Sequence, residues 1–298
     1  MSAPEPIEHI LVLAGAKLRL LEWDGAGPVL VGWPGLGGTA EYFGMLRDVV
    51  ANRVIGIDPP GVGAQSEGLP NLETLSRVWP GVLGWAAEKG QPVVAVGHSW
   101  GGYLARLALR HPELGVVGAV LLDGGYVPWN QPGRPVEAEI EEGRRYMEEH
   151  RPSDRKTFVE EALTPLRIRD IPITRAVRAA VQASILDDGA GGLRLAISEA
   201  AFQSVLRTMT AIPEQCYLEA PGPILLLAVV HESGGTPPAT EDELLLTGLL
   251  KEGRERFGAE KKHALVELFG VSHEVLPEAG DSVGGAIKDW LLRVVSKG

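Results

Sequence analysis

The sequence predicts an α/β fold, in which a mostly parallel sheet carries helices on both faces. Short, wholly apolar runs recur along the chain, for example at residues 29–33 and 224–230. Such runs are typical of central strands that are covered on both faces. Segments with the apolar spacing of helices separate these runs, and strands that alternate with helices indicate a parallel sheet. The alternation stops between residues 126 and 220, which predicts an inserted, mainly helical segment.

Length and composition fit this class and exclude several others. With 298 residues, of which 45% are hydrophobic and 22% charged, the chain suits one large α/β domain with an inserted subdomain. A net charge of −11 disfavours nucleic acid and anionic membrane surfaces as partners. The single cysteine, Cys216, excludes an intrachain disulfide and a cysteine-based zinc cage.

Two further features lead us to expect a cytoplasmic protein. The first nine residues lack the basic-then-apolar pattern of a signal peptide. The longest apolar runs, such as residues 224–230, are far shorter than a membrane-spanning segment. The oligomeric state stays open at the level of the sequence.

The first half of the chain begins with a hairpin and continues as alternating strands and helices. The hairpin joins predicted strands 7–13 and 17–23 through a tight turn at Gly15. A strand, a helix, a strand and a helix follow, at residues 29–33, 41–52, 53–57 and 71–89. Pro80 lies inside the last of these, and we expect it to kink or split that helix.

The second half contains the inserted segment and then returns to the sheet pattern. Apolar strands are predicted at 93–96 and 116–122, and a helix lies between them. Helices are predicted in the insertion at 137–150, 153–163, 173–186 and 197–209, with a flexible point at 189–192, and afterwards a strand at 224–230, a helix at 241–257, a strand at 263–269 and a helix at 281–296. We therefore expect a core of residues 1–125 and 221–298 and a helical cap of residues 126–220.

A candidate nucleophile follows the strand at residues 93–96. Residues Gly97 to Gly101 read G-x-S-x-G, with Ser99 at the centre, and a helix pattern follows. In a sharp strand-to-helix turn the serine backbone is strained, so the positions two residues away must be free of side chains. The turn exposes the hydroxyl at a helix N-terminus, where free N–H groups favour negative charge. The alternative is a glycine-rich turn with an ordinary surface serine.

Taken together, these motifs resemble those of the capped α/β-hydrolases. The resemblance covers nearly the whole chain: a glycine-rich loop after the third strand, Asp58-x-x-Gly61-x-Gly63-x-x-Ser66 after the fourth, the serine turn after the fifth, an insertion after the sixth and a late histidine. It implies a nucleophile, an acid and a base on loops at the carboxyl ends of the strands, where open α/β sheets bind their ligands.

The resemblance also implies which residues complete a catalytic triad. His273, one of seven histidines, lies where the family has its base, in the loop after the strand at 263–269. Glu232 lies where the acid is expected, after the strand that follows the cap. Asp123 is the alternative acid, because some members place it at the end of the preceding strand. Asp123 could equally begin a turn that leads into the cap.

An oxyanion hole requires two backbone N–H donors. By resemblance, one donor is the amide of Trp100, next to the nucleophile, and the other is the amide of Leu36 in the glycine-rich loop. Pro34 stands where the family commonly has a histidine.

The resulting hypothesis is a serine hydrolase that needs no cofactor or metal and cleaves a small, largely apolar ester or related acyl substrate. A proline-iminopeptidase-like enzyme is an alternative, since those enzymes hold a substrate amine with cap carboxylates. The cap offers such carboxylates, although a solvated helix face also explains them; they are Glu137, Glu139, Glu141, Glu142, Glu148 and Glu149. A third possibility is a ligand receptor on a hydrolase-like scaffold.

A different class of enzyme is compatible with the same glycine-rich loop. Gly35-x-Gly37-x-x-Ala40 follows a strand and precedes a helix, and Asp58 ends the next strand. This spacing matches a dinucleotide fingerprint with an acid for the ribose, as in a nicotinamide-dependent oxidoreductase. That reading leaves Ser99 and His273 without a role.

Overall fold

The computed structural model describes residues 5–128, 135–213, 220–230 and 241–295, which are arranged around one large sheet. The strands are β1 (Ile7–Leu13), β2 (Ala16–Trp23), β3 (Ala26–Trp33), β4 (Asn52–Ile57), β5 (Val93–His98), β6 (Val116–Leu122), β7 (Ile185–Asp187), β8 (Leu193–Leu195), β9 (Ile224–Val230) and β10 (Ala264–Phe269). Eight of them form the sheet in the order β1-β2-β4-β3-β5-β6-β9-β10, and β7 pairs with β8 separately. The pairings of β2 with β1 and with β4 are antiparallel, and the other five pairings in the large sheet are parallel.

Helices cover both faces of this sheet, as the sequence predicts. They are α1 (Tyr42–Val49), α2 (Leu72–Ala87), α3 (Gly101–Ala108), α4 (Val136–Glu149), α5 (Arg155–Ile168), α6 (Arg175–Ala183), α7 (Glu199–Ala211), α8 (Glu241–Gly258) and α9 (Val275–Val295). Successive residues of β5 point to opposite faces. Val93 and Ala95 pack with α2 and α3, whereas Val94 and Val96 pack with α1 and α9. The wholly apolar strand sequences thus reflect two hydrophobic layers.

Three details differ from the sequence predictions. Helix α2 is not split at Pro80, because buried side chains on both sides of the proline, including Val78 and Leu83, hold the helix against the sheet. Helix α9 begins at Val275, earlier than expected, and its two parts meet at non-helical backbone at Ala279. The predicted flexible point at 189–192 is a hairpin turn between β7 and β8, in which Asp188 accepts two backbone N–H groups.

The insertion between β6 and β9 packs directly on the rest of the chain. Val205 of α7 and Leu163 of α5 are buried in the two main hydrophobic layers. Ile197, just before α7, forms a β-bridge with Val62 in the loop after β4. The extent of the cap, residues 126–220, stays a prediction, since 129–134 and 214–219 lie outside the described residues.

A buried carboxylate joins β2 to β4 and to the end of α2. The side chain of Glu22 is 5% exposed and accepts hydrogen bonds from Arg53 and Lys89, each at 2.7 Å. His9 contacts the second carboxylate oxygen at 2.8 Å. Burial by itself raises the pKa of Glu22, but the hydrogen bonds from Arg53 and Lys89 outweigh it and lower the pKa to about 2.

We expect Glu22→Gln to lower the free energy of unfolding at pH 7 by about 1–3 kcal/mol, because it weakens buried, charge-assisted hydrogen bonds. A depressed folded-state pKa contributes stability above the ordinary pKa of 4.5, and this contribution is lost as the pH falls towards 2. The difference between the two proteins should therefore shrink over that range in urea unfolding. Glu67→Gln is the control, since Glu67 is 72% exposed and lies 3.6 Å from Lys17; an equal effect there would contradict the prediction.

Candidate active site

Ser99 lies in a strained turn between β5 and α3. Its φ angle is 54°, in the left-handed region that non-glycine residues rarely adopt. The surrounding backbone is too close for side chains: a Cβ on Gly97 would lie 2.1 Å from the carbonyl oxygen of Gly101, and one on Gly101 would lie 2.2 Å from that of Trp33. A Cβ on Gly124 would lie 2.0 Å from the carbonyl oxygen of Ser99 itself. The glycine pattern of the sequence therefore reflects the approach of three chain segments around one serine.

The glycine-rich loop after β3 passes beside this serine. A Cβ on Gly35 would lie 3.2 Å from the Cβ of Ser99, so the loop passes close to this serine. The amide of Gly38 donates to the carbonyl of Gly35 at 3.0 Å and closes a turn that contains Leu36. The amide of Leu36 directly follows Gly35, and the amide of Trp100 directly follows Ser99. Their assignment as oxyanion donors stays a prediction.

His273 is paired with Asp123. Its Nδ1 lies 2.7 Å from Oδ2 of Asp123, and the other carboxylate oxygen accepts the amide of Val229 at 2.9 Å. Asp123 follows β6 with a φ angle of 47°, and its own amide donates to Leu227 of β9 at 2.8 Å. The aspartate is thus fixed from the neighbouring strand before it meets the histidine.

This contact bears on the choice of acid. Glu232, which was expected to hold the outer nitrogen of His273, lies outside the described residues, whereas Asp123, the alternative, lies within hydrogen-bond distance of that nitrogen. Because Nδ1 carries a single proton, the candidate acid is Asp123, which the sequence offers only as the alternative. One signal was available in the sequence: Asp123 directly follows the apolar strand at 116–122, at the carboxyl end where such sheets carry their sites.

The strand register brings these residues together. His98 pairs with Leu122 in the parallel ladder of β5 and β6, so Ser99 and Asp123 follow at the same level. The ring centroids of His98 and His273 are 4.8 Å apart, which places His273 beside the end of β5. Ser99, Asp123 and His273 therefore share the carboxyl edge of the sheet, where such folds carry their sites.

His98, which precedes Ser99, supports the loop of His273. It is buried, stacks on Tyr42 at a centroid distance of 4.7 Å, and its Nε2 lies 2.9 Å from the carbonyl oxygen of His273. A carbonyl only accepts, so Nε2 of His98 carries the proton and donates. Burial lowers the pKa of His98 and favours its neutral form.

The surroundings of His273 favour its protonated form. Burial lowers the pKa of this imidazole, but the hydrogen bond and the charge of Asp123, together with the charge of Glu274, outweigh burial and raise the pKa. A base that is supported as a cation suits a step in which it takes up a proton.

The acid of the alternative dinucleotide reading has no free oxygen for a ribose. Asp58 is almost fully buried; its Oδ1 accepts the amide of Ala40 at 2.7 Å, and its Oδ2 accepts a hydrogen bond from Arg19 at 3.1 Å. Burial, followed by the nearby charge of Glu41, raises the pKa of Asp58 to about 6. Asp58 braces the chain at the end of the glycine-rich loop.

The acidic residues of α4 form a solvated face. Five of the six glutamates are exposed, and Glu139 is partly exposed. Glu137 pairs with Arg207, and Glu141 and Glu148 pair with Arg144. Arginine partners satisfy these three carboxylates, and exposure to solvent together with these pairs disfavours a dedicated amine site on this helix.

The described residues were also compared with the requirements of a metal site and of a membrane-spanning helix. In residues 5–128, 135–213, 220–230 and 241–295, no three His, Cys, Asp or Glu side chains are grouped so that they could hold a metal ion. Over the same part of the chain, no helix combines the length and apolar character needed to cross a membrane.

The chain matches a known family in sequence and several solved structures in fold. The sequence model described as the alpha/beta hydrolase family matches residues 29–283. The structure is similar to E-2-(acetamidomethylene)succinate hydrolase, with a TM-score of 0.70 and 19% identity over 96% of this chain and 99% of that chain. No curated protein matches the sequence.

Two further solved structures have the same fold. The thioesterase domain from the curacin biosynthetic pathway has a TM-score of 0.69 and 18% identity, and the comparison covers 96% of this chain and 100% of that chain. A thermophilic esterase from Thermogutta terrifontis, with malate bound, has a TM-score of 0.64 and 17% identity over 97% of this chain and 99% of that chain. At these identities the likeness establishes the fold alone.

We expect His273 to titrate above the ordinary histidine pKa of 6.5, and Asp123→Asn to lower its pKa, since the hydrogen-bonded negative charge is lost while burial persists. The measurement is an NMR titration of protein with ¹³C-labelled histidine, with the His273 signal assigned from a His273→Gln variant. Glu232→Gln is the matched control and should leave the pKa unchanged. A fall in the Glu232→Gln variant alone would return the role of acid to Glu232.

Proposed function

This chain belongs to the alpha/beta hydrolase family, and we propose that it is a serine hydrolase that cleaves a small, largely apolar ester or a related acyl substrate. The observation that carries the proposal is the 2.7 Å contact between His273 and Asp123 at the sheet edge that bears the strained Ser99. A serine hydroxyl is a weak nucleophile until a base removes its proton, and an oriented histidine is the group that does so.

In the proposed reaction, Oγ of Ser99 attacks the substrate carbonyl while Nε2 of His273 takes the hydroxyl proton. The tetrahedral intermediate then collapses, and His273 gives that proton to the departing alcohol, which leaves an acyl group on Ser99. A water molecule attacks the acyl-enzyme in the same way and releases the acid. Asp123 holds Nδ1–H throughout and so fixes the tautomer in which Nε2 is the free base.

The negative charge that develops on the carbonyl oxygen needs donors that are already in place. We assign this role to the amides of Trp100 and Leu36, supported by the close approach of the loop at Gly35 to Ser99. Ser99 also precedes the first turn of α3, whose free N–H groups favour negative charge at that point.

An apolar substrate fits the side chains around the glycine-rich loop. Leu36, which follows Gly35 in this loop, is 39% exposed, and a Cβ on Gly37 would lie 3.5 Å from the Ile197 side chain. A hydrocarbon group of the substrate would gain by covering Leu36. The solvated face of α4 gives no matching support for a peptide with a free amine.

We expect wild-type protein to hydrolyse p-nitrophenyl esters and to be labelled once by a fluorophosphonate, with loss of activity, because the probe traps an activated serine. Ser99→Ala should lose both the label and the hydrolysis. The measurements are intact mass and initial rates on p-nitrophenyl esters of graded acyl length, with amino-acid anilides as the comparison series. An adduct that survives in Ser99→Ala would contradict the choice of nucleophile, and binding without turnover would favour a receptor.

We expect Asp123→Asn to lower kcat by about 10³- to 10⁴-fold, since an asparagine favours the wrong tautomer of His273 and leaves its cation without support. Glu232→Gln is the matched variant, and its kcat should stay within about tenfold of wild type, as for an ordinary substitution. Steady-state rates on one p-nitrophenyl ester decide between them. Equal losses in both variants would show that Asp123 is not the sole acid partner.

A further inference from the structure

The loop that carries His273 is tied to the insertion by an arginine. Arg169, at the end of α5, donates to the two carboxylate oxygens of Glu278 at 2.5 and 2.6 Å. It also donates to the carbonyl oxygen of Gly270 at 3.0 Å. Gly270 precedes His273 in the chain and Glu278 follows it, so one guanidinium contacts the loop on both sides of the histidine.

Glu278 in turn holds the residue next to His273. One of its oxygens accepts the amide of Ser272 at 2.6 Å, and the other accepts the Ser272 hydroxyl, also at 2.6 Å. The Ser272 oxygen accepts the amide of Glu274 at 3.2 Å. The two residues that flank His273 are thus fixed through a single carboxylate.

The pair of Arg169 and Glu278 differs from an ordinary surface ion pair. The side chain of Glu278 is 4% exposed, and the geometry is bidentate, which adds orientation to charge. Burial by itself raises the pKa of Glu278, but the hydrogen bonds from Arg169 and Ser272 outweigh it and lower the pKa. Removal of Arg169 would leave a buried carboxylate without its strongest partner.

His273 depends on such support because its own packing is slight. Its side chain is 50% exposed, and the ring is held by the hydrogen bond to Asp123 and by the neighbouring ring of His98. His98 holds the carbonyl group of His273 from the side of β5. The contacts through Ser272 hold the backbone next to His273, and they begin at Arg169 on the insertion.

The position of Arg169 is itself well defined. The carbonyl oxygen of Leu166 accepts the amide of Arg169 at 3.2 Å and the amide of Ile171 at 2.9 Å. Asp170, between them, has a φ angle of 55° in the left-handed region, and helix α5 ends here. Leu166 is buried in the hydrophobic layer shared with α1 and α9. A fixed helix end therefore presents the guanidinium to the loop.

We propose that Arg169 is a positioning residue for His273, a role that rests on the function proposed above. Through Glu278 and Ser272 it holds the loop at the place where Nδ1 of His273 meets Asp123. The insertion then does more than cover a substrate: its attachment to the core sets the geometry of the base.

The test compares Arg169→Ala with Arg167→Ala. Arg167 lies two residues away and pairs at 2.6 Å with Glu160 on the same helix, so it is a matched loss of one partly exposed arginine. On a p-nitrophenyl ester we expect Arg169→Ala to lower kcat by about 10- to 100-fold with KM within about twofold, since a misplaced base impairs chemistry more than binding. Arg167→Ala should behave as wild type.

The pKa of His273 supplies a second readout that is independent of turnover. The groups that face this histidine, Asp123, Glu274 and His98, are the same in both variants. Loss of a nearby positive charge alone would raise the pKa of His273, whereas release of the loop from Asp123 would lower it. We expect the pKa, measured by ¹³C NMR titration, to fall in Arg169→Ala and to stay at the wild-type value in Arg167→Ala.

Each result of these measurements either supports or overturns the positioning role of Arg169. A rise in the pKa of His273, or a kcat and pKa equal to those of Arg167→Ala, would overturn the positioning role. If wild-type protein shows no turnover, the proposed function fails, yet the titration still tests whether Arg169 positions His273. Should Arg169→Ala not fold, Arg169→Gln keeps part of the stem without the bidentate pair, and the same fall in pKa is expected there; its absence would overturn the role.

Discussion

The hydrogen bond between Asp123 and His273 is the contact on which the candidate active site depends. The two residues are 150 positions apart in the chain, and the sheet order brings them together. β6 and β9 must be neighbours, because the backbone of β9 fixes Asp123 through both its amide and its carboxylate. β10 must lie beside β9, since the loop that follows it carries His273. The pair is therefore a product of the whole second half of the sheet.

Close backbone contact provides the matching constraint on Ser99. Ser99 keeps a φ angle of 54° because the chain around it is crowded by Gly97, Gly101 and Gly124, where any Cβ would meet a carbonyl oxygen. A strained conformation persists only where its surroundings over-determine it. Here the end of β3, the start of α3 and the residue after Asp123 all contact the same turn, so the strain of Ser99 and the location of the acid have a common structural origin.

Buried carboxylates near the site are distinguished by what they contact. Asp58 accepts hydrogen bonds from Arg19 and from the backbone, and Glu278 from Arg169 and Ser272. Asp123 is the one of these three whose partner is a histidine at the edge of the sheet. Asp58 braces the end of the glycine-rich loop, and Glu278 braces the loop that carries His273. Asp123 instead faces a group that can exchange a proton. Burial alone would not distinguish these three carboxylates from one another, whereas their hydrogen-bond partners do.

The sequence by itself determined the fold class and the candidate nucleophile. Apolar runs and helical spacing are local patterns, and the physics that produces them, burial on two faces of a sheet, acts on each segment separately. Gly97 and Gly101, two of the glycines that surround Ser99, likewise lie within one five-residue motif. His273 could be proposed because it follows the last predicted strand in a chain that resembles a known family.

Tertiary structure decided what depends on contacts between distant segments. Asp123 and Glu232 each follow an apolar strand, and no local pattern states which carboxylate meets Nδ1 of His273; the adjacency and register of β5, β6 and β9 do. The role of Arg169 was invisible for the same reason, since an arginine at a helix end resembles any solvated charge until Glu278, 109 residues away, is seen to face it. The uninterrupted course of α2 through Pro80 also reflects packing, because buried contacts on the sheet outweigh a local cost. Local propensities act within one segment, whereas the partners of a charge are set by how the segments fold together.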